Sequence, residues 1–133
     1  MSSSNFEDRL ISYELMSELV RNFETDNYEK INAGRATNLP DSKEYWYSLE
    51  VLEDYINYVK TEAAKKKYTN LGIKIKLAQY PENKLVGKLQ SEKTRGYQTV
   101  CLVPTTETQG ETNREIEDVS GLNFANMCPP ECK

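Results

Sequence analysis

The segment Leu71-Gly-Ile-Lys-Ile-Lys-Leu-Ala-Gln-Tyr-Pro-Glu-Asn83 decides the fold of this chain. Every second residue at its start is apolar, and this period of two is typical of a strand with one buried and one wet face. The residues Tyr80-Pro81-Glu82-Asn83 then end the strand with a turn. The pattern predicts a strand over 71–79 whose buried face consists of Leu71, Ile73, Ile75 and Leu77.

The elements on either side of this strand predict a small α+β domain. An amphipathic helix is expected from 12 to 24, and a longer one from 49 to 66. A short aromatic strand over 44–47 precedes the long helix, and a nearly continuous apolar strand over 97–103 follows the hairpin. The expected fold therefore has two amphipathic helices packed on one face of a sheet of about three strands. Its order is helix, short strand, long helix, strand, strand and an irregular C-terminal tail.

Two connections and one supersecondary unit complete this outline. Residues 25–43 contain several helix breakers and are predicted to be a long loop. The polar, lysine-rich residues 81–95 are expected to be a hairpin loop or a mobile flap. The strands at 44–47 and 71–79, with the helix between them, are a candidate βαβ unit.

The length of 133 residues indicates one domain over 1–133. Within it, residues 1–10 and 106–121 are polar and are expected to be flexible.

The composition limits the chemistry that the chain can perform. The sequence has no histidine, which excludes Ser-His-Asp and Cys-His catalysis within the chain. No phosphate-binding or dinucleotide-binding glycine motif is present, and no cofactor or metal is implied. The composition therefore disfavours an enzyme, although carboxylate, tyrosine or lysine catalysis stays open as an alternative.

The termini and cysteines favour a cytoplasmic protein. The N-terminal residues lack the cationic start and apolar run of a secretory signal, and no stretch approaches the roughly 20 apolar residues of a membrane span. Three cysteines are an odd number, which argues against a disulfide framework. We therefore expect no membrane association.

The charge is distributed unevenly along the chain. The net charge is −4, but residues 60–95 contain 10 basic and 3 acidic residues. The excess is either neutralised by neighbouring acidic segments or forms a basic face for an anionic partner. Nucleic-acid binding is disfavoured because such proteins usually have a basic domain overall.

Several short motifs in the same order resemble a family of small uncharacterised bacterial proteins. The resemblance spans residues 45–130 and implies a fold rather than an activity. Lys74 stands where the family pattern has arginine, so a bidentate anion contact at this position is in doubt. The matching residues are Tyr47-Ser48, Leu52, Tyr55-Ile56, Lys60, Glu62-Ala63, Gly72-Ile73-Lys74-Ile75, Tyr80-Pro81, Thr99-Val100, Leu102-Val103-Pro104-Thr105, Leu122-Asn123 and Pro129-Pro130.

Polar residues in or beside these motifs are the candidates for ligand or partner binding. Strand ends and loops are where a rigid scaffold usually displays binding groups. If the strands at 71–79 and 97–103 pair antiparallel, Tyr80 and Thr105 lie at opposite ends and cannot form one compact site. The candidates are Lys74, Tyr80, Glu82, Thr105 and Asn123.

The tail carries a second kind of candidate, the pair Cys128 and Cys132. Their C-x-x-x-C spacing allows a local disulfide or two soft metal ligands, but a structural zinc site needs four Cys or His ligands. Cys101 is expected to lie within a buried strand. Cys128 and Cys132 are therefore redox candidates.

The absence of catalytic motifs favours a non-enzymatic protein-binding or regulatory module. Another protein is the expected partner, bound through the sheet edge or through the segment 81–95, and self-association stays open. The alternatives are a thiol-based redox sensor through Cys128 and Cys132, and a small enzyme that uses carboxylate, tyrosine or lysine groups.

Overall fold

The computed structural model of the chain describes residues 5–107 and 112–132. Two compact units, Met1–Pro40 and Asp41–Lys133, make up the chain. No helix within the described ranges has both the length and the apolar character needed to cross a bilayer. The single domain over 1–133 stays a prediction. Of the segments expected to be flexible, residues 1–4 and 108–111 lie outside the described residues.

The first unit is helical. Helix α1 spans Tyr13–Phe23, and Ser12 caps it because its Oγ accepts the Leu15 N–H at 3.1 Å. The helical path continues through a π-helical turn at Glu24–Tyr28 into α2 at Glu29–Asn32. The helix predicted over 12–24 is confirmed.

The loop predicted over 25–43 is wrong for residues 25–32, which are helical. Asp26 and Asn27 suggested a break, but both residues are only weakly unfavourable in a helix interior. Neither glycine nor proline occurs between residues 13 and 32, so nothing in the sequence ends the helix before Gly34.

In its described residues, the second unit contains one long helix and five short or medium strands. Helix α3 spans Leu49–Lys65. The three-stranded sheet has the order β2-β3-β4, the two-stranded sheet pairs β1 with β5, and all pairs are antiparallel. The α+β class and the predicted order of elements up to β3 are confirmed. The tail, predicted to be irregular, contains β4 and β5. The strands are β1 Glu44–Trp46, β2 Gly72–Gln79, β3 Gln98–Thr106, β4 Arg114–Glu115 and β5 Asn126–Cys128.

The candidate βαβ unit is wrong, because β1 and β2 belong to different sheets. β1 instead pairs with the C-terminal tail, where Tyr45 lies opposite Met127. Met127 is buried and packs with Tyr45, Tyr80 and Tyr97. Burial of this methionine gives the tail a reason to form a strand, although its sequence has no regular pattern.

The core of the second unit lies between α3 and β3. Ser48 Oγ accepts a backbone N–H of the first turn at 3.0 Å, so α3 begins where the sequence predicts. Tyr55 and Val59 are one helical turn apart and pack against Val100 and Leu102 of β3. The expectation that the strand over 97–103 is buried is confirmed for these residues.

β2 lies at the edge of the three-stranded sheet and pairs with β3 over eight positions, from Gly72–Thr105 to Gln79–Gln98. The strand over 71–79 is confirmed, but its predicted buried face is wrong. Ile75 is 70% exposed and Leu77 is 82% exposed. Alternation shows that the two faces of a strand differ in polarity, but it does not show whether a helix covers the apolar one.

The lysine-rich segment 81–95 forms the hairpin loop between β2 and β3, as one of the two alternatives predicted. Its organising residue is Gln90, whose Oε1 accepts the Val86 N–H at 2.9 Å and whose Nε2 donates to Thr94 Oγ1 at 3.2 Å. Gln90 and Thr94 are both buried. This side-chain network gives the loop a defined path.

Part of the segment 106–121 contacts β3 in the residues that the structure describes, while its flexibility stays a prediction. β4 pairs with the end of β3, and the Ile116 N–H donates to the Pro104 carbonyl at 2.9 Å. Ile116 and Val119 are buried, with exposures of 2% and 4%. The two apolar side chains within a polar run anchor this part of the segment.

Ile116→Ala should lower the free energy of unfolding by about 2–5 kcal/mol, because it removes buried methyl groups and leaves a cavity. Urea denaturation followed by circular dichroism measures this change. The matched control is Glu117→Ala, since Glu117 is the next residue and is exposed. Equal stability of the two variants would contradict the packing of this segment.

Candidate functional site

The most unusual surface of the second unit is the apolar side of β2. In the β2–β3 register, Ile75 lies opposite Leu102 and Leu77 lies opposite Val100. Directly opposed residues point to the same face of a sheet. The exposed side chains of β2 therefore lie on the same face of the sheet as the β3 side chains that pack against α3, but α3 does not bury them.

α3 contributes a second exposed apolar row. Successive residues of a helix are about 100° apart, so Ile56 lies to one side of the buried Tyr55–Val59 stripe and Tyr58 lies to the other. The Tyr58 hydroxyl accepts the Ser120 N–H at 3.1 Å, which places Tyr58 on the side of the sheet away from β2. Ile56 therefore lies on the β2 side.

These two rows define the apolar edge surface. Leu49 precedes Ile56 by two helical turns and is 79% exposed, while Ile56 is 42% exposed. On a monomer, an exposed apolar patch formed by adjacent elements often marks an interaction site. The apolar edge surface consists of Leu49, Ile56, Ile73, Ile75 and Leu77.

The opposite face of β2 carries the cation pair, Lys74 and Lys76. Both ammonium groups reach across the sheet to Glu115 of β4, with Nζ–Oε2 distances of 3.4 and 3.1 Å. Hydrogen bonds from Lys76 and Lys74 lower the pKa of the Glu115 carboxyl. One carboxylate thus pairs with two ammonium groups, so Lys74, Lys76 and Glu115 together keep a net positive charge. The predicted site residue Lys74 belongs to this face.

Two further predicted site residues, Tyr80 and Asn123, meet in one hydrogen-bond network. The Tyr80 hydroxyl donates to Asn123 Oδ1 at 2.6 Å, and Asn123 Nδ2 donates to Thr99 Oγ1 at 3.1 Å and to the Val100 carbonyl at 2.7 Å. Because these polar atoms are all paired, the network holds the tail against the hairpin. Its contacts indicate a structural role.

The remaining predicted binding residues, Thr105 and Glu82, lie elsewhere. Thr105 is buried and pairs with Gly72, at the end of the ladder opposite to Tyr80, as antiparallel pairing predicts. Glu82 is exposed in the hairpin turn, and a Cβ added at Gly96 would lie 3.0 Å from its Cγ. The predicted set therefore does not form one compact site.

The redox candidates Cys128 and Cys132 are joined by a disulfide bond, with their Cα atoms 4.4 Å apart. Cys128 lines a cleft of about 310 Å³ together with Glu44, Trp46, Asn126 and Glu131. Trp46 is 62% exposed there. Cys101 is a free cysteine and is only half-buried, so the expectation of a buried thiol is met in part.

One of the nine tyrosines has a buried hydroxyl that lacks a hydrogen-bond partner among the described residues. Within the described part of the chain, the Tyr47 hydroxyl oxygen is buried and has no hydrogen-bond partner. Desolvation by burial, followed by the nearby Tyr80, Cys101 and Tyr55, raises the pKa of Tyr47 to about 12. An unpaired buried hydroxyl destabilises the fold.

Sequence reasoning identified the strand over 71–79 but missed its position at a sheet edge and the apolar edge surface. The sequence did contain a signal for this surface. A helix with a wide apolar stripe is followed, after a short loop, by a strand that alternates apolar and polar residues. Comparisons with protein-family models, with curated proteins and with solved structures found no match. The resemblance to a bacterial family stays a prediction.

Tyr47→Phe should reduce the loss of stability between about pH 10 and 12. The folded-state pKa is raised to about 12 from 10.0, so the unfolded chain releases this proton first and stability falls as pH rises through that window. Urea midpoints measured across this pH range for wild type and variant test the prediction. Tyr13→Phe is the control because Tyr13 is 77% exposed. Parallel pH profiles for wild type and Tyr47→Phe would contradict the assignment.

Proposed function

We propose that this chain is a non-enzymatic protein-binding module whose apolar edge surface binds a segment of another protein. The observation that carries the proposal is the exposure of Ile75 and Leu77, on a row that otherwise forms the core. Leaving such side chains in water forgoes about 25 cal/mol for each Å² of apolar area. A partner that covers them recovers this free energy.

The position of these residues at a sheet edge supports a partner over an incidental patch. A long edge strand with apolar side chains is a template for pairing with another chain. β2 is eight residues long and contains no proline. The hairpin loop 81–95, the other surface considered, has exposed apolar side chains as well, but they do not continue a core-facing row.

The arrangement of polar groups does not favour catalysis. Lys74 and Tyr80, the lysine and tyrosine candidates for a small enzyme, contact a half-buried glutamate and an asparagine, respectively. The buried carboxylate Asp41 is occupied, because its Oδ1 accepts the Ser42 and Gln98 N–H groups at 2.8 Å each. Its contacts are those of a structural residue.

The double variant Ile75→Thr/Leu77→Thr should weaken binding of the partner by about 10- to 100-fold. The change keeps charge and β-propensity but removes apolar area worth roughly 0.8 kcal/mol per methylene, and 1.4 kcal/mol corresponds to a factor of ten. The partner is first captured from native lysate, identified by mass spectrometry and purified. Isothermal titration of the two purified proteins then gives the affinity.

Leu89→Thr is the matched control for this experiment. Leu89 is 81% exposed, like Leu77, but lies in the hairpin loop. Its substitution should leave the affinity unchanged. If Leu89→Thr abolishes binding while the β2 variant binds normally, the loop is the interaction surface and the proposal is wrong.

A second candidate function is a thiol-based redox sensor, and the Cys128–Cys132 disulfide favours it. Reduction by a dithiol would break the sulfur–sulfur bond, give two thiols and leave the reductant as its own disulfide. A reversible bond of this kind suits a redox sensor, whereas a persistent one is typical of an oxidising compartment. The cytoplasmic location stays a prediction.

Oxidation of the fully reduced protein should stabilise the second unit by about 2 kcal/mol, because the bond closes a short loop in the unfolded chain. Urea midpoints of reduced and oxidised protein measure the change, and thiol labelling with mass spectrometry identifies the oxidised pair. Cys132→Ser should abolish the response. If Cys128 and Cys132 stay reduced in a buffer that oxidises glutathione, they are not a sensor.

A further inference from the structure

The backbone of β2 has one side without a strand partner among the described residues. The Tyr80 N–H donates to the Tyr97 carbonyl at 3.0 Å, and at the other end of the ladder the Glu107 N–H donates to the Asn70 carbonyl at 3.2 Å. In an antiparallel ladder the residues that exchange hydrogen bonds alternate with those that do not. Even-numbered residues of β2 therefore direct their N–H and C=O groups toward β3.

The odd-numbered residues of β2 direct their backbone groups outward, and all of them except Gln79 are large and apolar. The apolar ones are Ile73, Ile75 and Leu77. The neighbouring strand supports this assignment, because Leu102, opposite Ile75, exchanges backbone hydrogen bonds with Leu122 on the side of β3 away from β2. The same three residues thus offer hydrogen-bonding groups along the edge and apolar side chains on the α3 side.

The side chains of the even-numbered residues define the charge that a new strand would meet. Lys74 and Lys76 share Glu115 as their acidic partner, and their side chains are still 43% and 52% exposed. A strand added beside β2 would place alternate side chains next to these lysines, at cross-strand distance. Acidic side chains at those positions would complete the neutralisation.

We propose that the segment bound at the apolar edge surface is an added β-strand in which apolar residues alternate with Asp or Glu. The proposal rests on the proposed function and names the chemistry of its partner. Backbone groups of the added strand pair with those of Ile73, Ile75 and Leu77, its apolar side chains lie beside theirs, and its carboxylates face Lys74 and Lys76. This is recognition by strand addition, in which alternate side chains give the specificity.

A second copy of this chain is a poorer occupant of the same edge. If two β2 strands paired antiparallel about Ile75, Lys74 of one copy would lie opposite Lys76 of the other. Like charges directly opposite each other destabilise a sheet. The charge of β2 therefore favours a partner of different sequence with acidic side chains.

The test uses the full-length chain and a capped synthetic peptide, Thr-Val-Glu-Val-Glu-Val-Thr, at up to about 1 mM. Hydrogen exchange followed by nuclear magnetic resonance is the readout. Strand addition should slow exchange of the Ile73, Ile75 and Leu77 amides by about tenfold or more. The Lys74 and Lys76 amides, which already face β3, should change little.

Two controls test the charge. The peptide with glutamine in place of glutamate, and the chain with Lys74→Gln/Lys76→Gln, should each weaken binding by about three- to tenfold. Lys84→Gln/Lys88→Gln removes the same charge from exposed positions in the hairpin loop and should leave binding unchanged. Equal binding of the glutamate and glutamine peptides would overturn the acidic requirement.

The remaining outcomes separate this inference from the proposed function. No binding of the peptide, or binding without protection of the outward amides, overturns strand addition. The proposed function still stands in that case if Ile75→Thr/Leu77→Thr weakens binding of the purified partner protein. Analytical ultracentrifugation of the chain alone tests whether a second copy occupies the edge. A dimer in which the Ile73, Ile75 and Leu77 amides are already protected would overturn the proposal in favour of a second copy.

Discussion

The antiparallel register between β2 and β3 is the constraint on which the second unit depends. The ladder of paired residues ends at Gly72, where an added Cβ would lie 2.8 Å from Thr105 Oγ1. A side chain at this position would force the buried Thr105 side chain to shift, so glycine allows the close approach. A slip of one residue would exchange the two faces of β2 and would put Lys74 and Lys76 on the α3 side. The position of the apolar edge surface follows from this register.

The C-terminal tail completes both sheets around that hairpin. Leu122 forms a bridge with Leu102, Asn123 holds Tyr80, and β5 pairs with β1. Each contact joins residues that are far apart in the chain, so folding has to bring them together before they stabilise anything. The tail pairs with the far side of β3, so among the described residues β2 is the long edge strand of the three-stranded sheet and the two-residue β4 is the short one.

Local patterns sufficed to predict α1, α3 and the strands β1 to β3, but not β4, β5 or the pairing of the strands. Ser12 and Ser48 each precede an amphipathic stripe, and these caps located α1 and α3. The pairing of β1 with β5 depends on Met127 and Tyr45, which are 82 positions apart and share no periodicity. The exposure of Ile75 and Leu77 could not be predicted either, because alternation shows that one face of a strand is apolar but not whether another element packs on it. Tyr80 and Asn123 were candidates for binding, but their hydrogen bond with each other indicates a structural role.

The cation pair links the stability of the edge to its selectivity. Long apolar edge strands aggregate unless charges on the edge disfavour pairing with identical strands, and lysine is the residue most often used for this purpose. In β2 the lysines occupy one face while the other stays apolar, and Glu115 neutralises them only in part. The same two charges that oppose a second copy therefore attract an acidic strand. The exposed isoleucine and leucine alone would allow many strands to pair with β2, but the lysines between them limit the choice of partner. Specificity then comes from repulsion as well as attraction.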